Sequence, residues 1–247
     1  MKEDQEIQIF SLANKTSIGI NMYKSKQNRL MLVEPLFAVP SICDELDINE
    51  TDSLAMIKYL TNNEEWYGPP GNTPGIWQTL NRDLHKLEIF KSLSETILDY
   101  ANRMLYETHR KANDLYILNM WANRSIGYGT IQPHRHPNSM ISGVFYLKVS
   151  ENAGKTAFLN DNVSDFQPEI EYHQDVLQLN NDQALPYWSD QNIVSKCTNT
   201  LVLFPSYLKH FVVESNNDAE ERITISFNIL DKVLGDKHSL SYVETAN

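Results

Sequence analysis

Residues 222–229 read Arg-Ile-Thr-Ile-Ser-Phe-Asn-Ile, so Arg222, Thr224, Ser226 and Asn228 fall on one side and Ile223, Ile225, Phe227 and Ile229 on the other. Only an extended strand has a side-chain period of two. The apolar side must therefore meet a core. The polar side allows two readings: an outer face turned to water, or a face turned into the mouth of a barrel. In the second case Arg222 offers a planar, permanently charged fork to a carboxylate. Further strand-forming runs lie at 116–122, 140–149, 156–159, 200–204 and 210–214. Gly127-Tyr128-Gly129, Asn152-Ala153-Gly154 and Ser215-Asn216-Asn217-Asp218 punctuate them, and helical periodicity is missing from this half. The pattern predicts a jelly-roll type sandwich or barrel.

The N-terminal half differs. Short extended pieces are expected at 7–10 and 30–39, the latter broken by Pro35 and Pro40. A helix is expected from Thr51-Asp52, with an Asp cap and a stripe of Leu54, Ile57, Tyr59 and Leu60. It must stop before the Pro/Gly cluster 68–75, a loop flanked by Trp66, Tyr67 and Trp77. Those aromatics could form a lid, but stapling of the loop is preferred because aromatics mostly pack. Leu84, Leu87, Phe90, Leu93, Ile97, Ala101 and Met104 recur at helical spacing and predict one or two scaffold helices over 82–112. The expected fold class is thus α+β: a double-stranded β-helix core with N-terminal helices packed on one sheet. Residues 1–247 are read as one domain, with 1–114 as support, 115–230 as the core, 160–195 as a polar insertion and 231–247 as a tail.

Formal net charge is -11. Such an acidic chain is a poor partner for nucleic acid or an anionic membrane surface. An anionic small molecule would need a local Arg or Lys pocket. Cys43 and Cys197 are far apart and lack metal-ligand spacing, which predicts two buried thiols in a reducing compartment. The first residues lack the apolar core of a signal peptide, and no apolar run approaches the length of a spanning helix. The expectation is a soluble, intracellular and cytoplasmic protein. A homodimer is left open.

Seven histidines occur. His85, His109, His173 and His238 are read as surface or packed residues. His134 and His136 differ, because they stand two apart just before a strand-forming run. On a strand they would project to one face, roughly 6–7 Å apart, and could converge on one metal ion. His210, at the edge of another strand candidate, is the expected third ligand.

These residues together resemble the 2-oxoglutarate/Fe(II)-dependent oxygenases, and within them the prolyl-4-hydroxylase-like branch and its subfamily with an H-x-H-P motif. His134-Arg135-His136 stands where that superfamily carries His-x-Asp/Glu. Residues 142–147 match the core strand that follows, and 152–158 resemble a Gly-Gly-x-Thr-x-Phe segment. Residues 201–210 resemble the segment of the distal iron histidine, and Arg222-Ile223-Thr224 the Arg-x-Ser/Thr pair that binds the far carboxylate of 2-oxoglutarate. Gly75-Ile76-Trp77-Gln78-Thr79 is also similar, so the likeness spans roughly 30–230. It implies an Fe(II)- and 2-oxoglutarate-dependent dioxygenase that hydroxylates a small molecule or peptide and releases succinate and CO2. It implies His134, His136 and His210 as iron ligands, Arg222 and Thr224 on the co-substrate, and Tyr146, Asn228 and Tyr128 as further contacts. His136 departs from the 2-His-1-carboxylate pattern. Either three neutral histidines bind the iron, the preferred reading, or an acid such as Asp161 substitutes. Two other functions stay open: a three-His cupin-type dioxygenase that does not use 2-oxoglutarate, and a non-catalytic jelly-roll binding protein.

Overall fold

The computed structural model describes residues 21–24, 30–33, 39–68, 75–109, 114–126, 129–150, 153–159, 191–194, 197–212 and 221–235. The chain divides into two compact units, Met1–Val39 and Pro40–Asn247. In the first, β1 (Asn21–Lys24) and β2 (Leu30–Val33) form an antiparallel pair with Asn21 opposite Val33.

The second unit runs β3 (Ile42–Glu45), α1 (Glu50–Asn63), β4 (Trp66–Tyr67), β5 (Ile76–Thr79), α2 (Lys91–His109), β6 (Leu115–Ser125), β7 (Ile131–His134) and β8 (Ile141–Lys148). It continues with β9 (Thr156–Leu159), β10 (Gln191–Val194), β11 (Thr200–Pro205), β12 (His210–Val212) and β13 (Arg222–Asp231). Seven strands form one sheet in the order β3-β11-β8-β13-β6-β5-β4, and four form a second in the order β10-β9-β12-β7. All pairings between these strands are antiparallel. This is the double-stranded β-helix expected from the strand pattern.

The alternation in β13 organises both faces of the larger sheet. Ile223, Ile225, Phe227 and Ile229 join Met120, Ala122, Phe145, Leu147, Leu201 and Leu203 in a buried core with Met56 and Leu60 of α1 and Leu93, Ile97, Ala101 and Met104 of α2. On the other face, Val144, Tyr146, Val202 and Phe204 pack with Phe158 of the smaller sheet in a second core. Arg222, Thr224 and Asn228 lie on this inner face and are buried. The wet-face reading of β13 is thereby set aside. Gly143, at the centre of β8, is required by packing: a Cβ there would sit 2.4 Å from Phe227 Cζ and 2.7 Å from the Val202 carbonyl oxygen.

Several expectations are adjusted. The first helix begins at Glu50, and Asn49 rather than an Asp caps it, its Oδ1 accepting from Asp52 N at 2.9 Å. The second begins at Lys91, after two short 3-10 turns at Leu84–Lys86 and Glu88–Phe90. Asp83 is bridged to Met120, and Met120 N–H donates to Arg82 O at 2.7 Å, so the sheet holds this stretch out of the helix. Short strands β4 and β5 flank the Pro/Gly cluster and widen the larger sheet. Trp66 Nε1 donates to Leu60 O at 3.2 Å and ties β4 to the end of the first helix, while residues 69–74 of the expected stapled loop lie outside the described residues. Cys43 and Cys197 are exposed, not buried; β3 is the edge strand, and Cys43 alternates away from the half-buried Ile42. The expected strand at 7–10, residues Tyr128 and Asp161, His173, His238, the tail beyond 235 and most of the 160–195 insertion lie outside the described residues. Among the described residues no helix is long and apolar enough to cross a membrane.

Candidate metal centre

Strand pairing brings the three histidines together. His134 ends β7 and His210 begins β12, and the two are direct partners in the antiparallel ladder. His136 arrives differently from the same-face expectation. Strand β7 stops at His134, and His136 lies in the turn beyond, its N–H donating to Ser206 O at 3.1 Å. Asn138 adopts a left-handed φ of 62° where the chain reverses, a conformation Asn tolerates better than most residues. The rings converge nonetheless: centroids are 4.4 Å apart for His134–His210 and 5.0 Å for each of the other pairs. One ligand atom from each lies within 4.8 Å of the others.

The ring nitrogens are oriented by the backbone. His134 Nδ1 lies 2.8 Å from Gln132 O, and His210 Nδ1 lies 2.9 Å from Leu208 O. A carbonyl only accepts, so both Nδ1 atoms carry the proton and both Nε2 atoms present a lone pair. His136 Nε2 and His210 Nε2 are 3.1 Å apart. Two nitrogens each about 2.1 Å from one ion at a right angle would be about 3 Å apart. The donor set therefore fits a single divalent transition metal. Burial lowers the pKa of His136 to about 4, helped by His134. Burial also lowers that of His210 to about 3, with His134 and His136 adding to it and the Leu208 carbonyl opposing. His136 and His210 are thus neutral at neutral pH, the form that binds metal. Phe204 packs 4.6 Å from the His210 ring and Phe158 6.3 Å from it, which closes the apolar side of the cluster.

Arg222 opens into the same cavity. It is 2% exposed, and its Nε has no hydrogen-bond partner. Its guanidinium lies over the Tyr146 ring at 5.2 Å. The adjacent acid, Glu221, is engaged by Arg124 and Lys148. Partial burial alone would raise the Glu221 pKa, yet the two cations outweigh this and hold it below the usual carboxylate value. Among the described residues no Asp or Glu lines the cavity. A buried guanidinium with an orphaned donor and no acid fits an anionic ligand.

The remaining expected contacts separate. Thr224 lines the cavity. Tyr146 lies beneath Arg222, its hydroxyl hydrogen bonded to Thr156. Asn228 does not line it: Oδ1 accepts from Ser142 at 2.7 Å and Nδ2 donates to Asn119 Oδ1 at 2.8 Å, so its amide is consumed deeper in the sheet. Ser226, on the polar face of β13, also lines the cavity, as do Gln78, Trp121 and Asn123, which sequence reasoning did not place there. The signal lay in β6, where Asn119, Trp121, Asn123 and Ser125 alternate with residues of the other face.

Residues 119–228 match the family described as "Putative 2OG-Fe(II) oxygenase". No curated protein matches the chain. Among solved structures, HygX from Streptomyces hygroscopicus with nickel and 2-oxoglutarate bound is 11% identical with a TM-score of 0.52, covering 78% of this chain and 83% of its own. The non-heme alpha ketoglutarate dependent epimerase SnoN from nogalamycin biosynthesis is 13% identical with a TM-score of 0.55, covering 78% of this chain and 79% of its own. The carbocyclase SnoK from the same biosynthesis is 12% identical with a TM-score of 0.53, covering 78% and 80%. What these structures share with the chain is the fold.

Proposed function

We propose that His134, His136 and His210 hold iron and that Arg222 holds the distal carboxylate of 2-oxoglutarate, a reading supported by the match of residues 119–228 to the family described as "Putative 2OG-Fe(II) oxygenase". The observation that carries this reading is the juxtaposition of a three-imidazole cluster with a buried, acid-free guanidinium in one cavity. Iron and 2-oxoglutarate together would supply dioxygen activation, the oxo-acid leaving as succinate and CO2 while a C–H bond of a small-molecule substrate is hydroxylated.

The chain's own residues do the rest. Leu208 O and Gln132 O fix the tautomers of His210 and His134, so that the lone pairs face inward before any ion arrives. His136 Nε2 lies 3.1 Å from His210 Nε2; for both to hold one ion His136 must carry its proton on Nδ1 and present the Nε2 lone pair. The Tyr146 ring supports the Arg222 guanidinium from below, and Thr224 adds a hydroxyl beside it. Phe204 and Phe158 exclude water from one flank of the His210 imidazole.

Anaerobic titration with Fe(II), followed by 2-oxoglutarate, tests the assignment. One ion per chain, lost in His210→Ala, and 2-oxoglutarate binding weakened in Arg222→Gln with metal retained are the expected results. Under air, succinate should form. Metal binding without 2-oxoglutarate binding would point to a three-His dioxygenase of another kind, and absence of stoichiometric metal would point to an inert barrel.

A further inference from the structure

A second arginine stands one indole ring away from the histidine cluster. Arg82 follows β5, and its guanidinium lies 4.9 Å from the Trp121 ring and 5.6 Å from that of Tyr67. The Trp121 ring is in turn 6.1 Å from that of His136. Arg82 Nη2 donates to Gln78 Oε1 at 2.8 Å and to the Tyr67 hydroxyl. No acid among the described residues pairs with it: Asp83, its neighbour, is held by Lys86 at 2.9 Å. Its Nε and Nη1 make no hydrogen bond to a described residue. In a chain of net charge -11, a half-buried cation left without a carboxylate is an invitation to an anion.

The surrounding groups tie this cation to the cavity. Gln78 Nε2 donates to Asn123 Oδ1 at 2.8 Å, Trp121 Nε1 donates to the same oxygen at 3.2 Å, and Asn123 Nδ2 donates to Ser226 Oγ at 2.8 Å. Gln78, Trp121, Asn123 and Ser226 all line the cavity that holds the three histidines. The network pins the indole and the guanidinium at a fixed separation, with aromatic surface between the charge and the cluster. Strands β4 and β5, which carry Tyr67 and Gln78, extend the larger sheet at its β6 end. Such a site matches a planar anion borne on an apolar body.

We propose that Arg82, stacked on Trp121 and braced by Gln78 and Tyr67, binds a carboxylate of the primary substrate and aims the substrate's apolar part along Trp121 toward the iron. The assignment rests on the proposed oxygenase reading, and it names a substrate class that the reading leaves open: compact carboxylic acids, bound at a point separate from Arg222. Nε and Nη1, which bond no described residue, each leave a charge-assisted donor for one carboxylate oxygen, and the indole supplies a flat apolar wall.

Benzoate and benzamide are a matched pair of probes, alike in shape and different in charge. Each is titrated by calorimetry into protein saturated with Mn(II) and 2-oxoglutarate, so that Arg222 is already occupied. Wild type should bind benzoate about tenfold or more tighter than benzamide, as a charge-assisted hydrogen bond implies. In Arg82→Gln the two probes should bind within about twofold of each other, with 2-oxoglutarate affinity unchanged; Arg82→Lys should recover part of the preference. The preference should survive Arg222→Gln. The proposal is overturned if wild type shows no preference or binds neither probe, if Arg82→Gln keeps the preference, or if only Arg222→Gln removes it. Failure of the oxygenase reading is separate: it shows as absent 2-oxoglutarate binding in wild type, whatever Arg82 does.

Discussion

Replacing Arg222 with Met should stabilise the ligand-free protein and cripple the binding of 2-oxoglutarate. Arg222 is 2% exposed, its Nε is orphaned, and no described acid neutralises it. Burying an ion costs several kcal/mol even after relaxation. The Tyr146 ring, 5.2 Å from the guanidinium, returns on the order of 2 kcal/mol at a desolvated site. A net cost of about 1–3 kcal/mol remains, and an unbranched apolar side chain of similar length removes it. For a chain of this size each kcal/mol shifts Tm by about 2–4 °C. The metal-free variant should therefore melt several degrees above wild type in a calorimetric scan. In the opposite direction, truncating one partner of a buried charge pair costs about 2–5 kcal/mol of binding, or about 30-fold to a few thousand-fold in Kd. Anaerobic titration of the metal-loaded variant with 2-oxoglutarate measures that loss. A variant that melts lower than wild type, or binds 2-oxoglutarate as wild type does, would refute the view that Arg222 is held in the core at a stability cost for an anion.

Three further outcomes are expected. His210→Ala should weaken Fe(II) binding by more than the roughly 10–100-fold that loss of an outer-shell partner causes, read by competition with a chelator, while circular dichroism stays that of the wild type. Gly143→Ala forces a Cβ to 2.4 Å from Phe227 Cζ; overpacking of this kind costs about 1–3 kcal/mol, and a urea midpoint equal to that of wild type would contradict the packing. In metal-stripped protein, His136 and His210 refuse protons until about pH 4 and about pH 3, whereas the unfolded chain takes them up near pH 6.5. Their contribution is complete above pH 6.5 and is lost progressively as pH falls from there toward about 4 and about 3, so urea midpoints should drop between pH 7.5 and pH 5, and less so in a His136→Ala, His210→Ala double variant.

Much of the fold was legible because strands announce themselves by a period of two, and β13 does so over eight residues. The histidine cluster was legible from H-x-H before a strand run and a lone histidine opening another, although the two-residue strand period does not carry His136. The route by which His136 reaches the cluster was not. It depends on where β7 ends and on a left-handed Asn138, and neither leaves a hydrophobic pattern. The helical reading of residues 82–90 failed because a long-range bridge from Asp83 to Met120 overrode a local stripe. Arg82 was invisible as a site residue, since its partners come from positions 67, 78 and 121, brought together only by strands of two and four residues. Asn228 shared the right face of β13, but face alone does not tell depth: at its end of the strand Ser142 and Asn119 fill the space a ligand would need.

The charge count links the two arginines to the substitution at position 136. Three neutral imidazoles leave an Fe(II) ion at +2, where two imidazoles and a carboxylate would leave +1. Arg222 adds one charge, and no described acid lines the cavity to offset it. 2-Oxoglutarate brings two negative charges against three positive ones, so one positive charge remains beside Trp121, before Arg82 is counted. At an effective dielectric near 20, one uncompensated unit charge a few ångströms away is worth about 4 kcal/mol, comparable to the whole interval between millimolar and micromolar affinity. On the proposed three-histidine assignment, a histidine in place of the acid moves the demand for negative charge from the protein onto what it binds. A substrate carrying a carboxylate satisfies that demand, and a polycationic one would add to the repulsion.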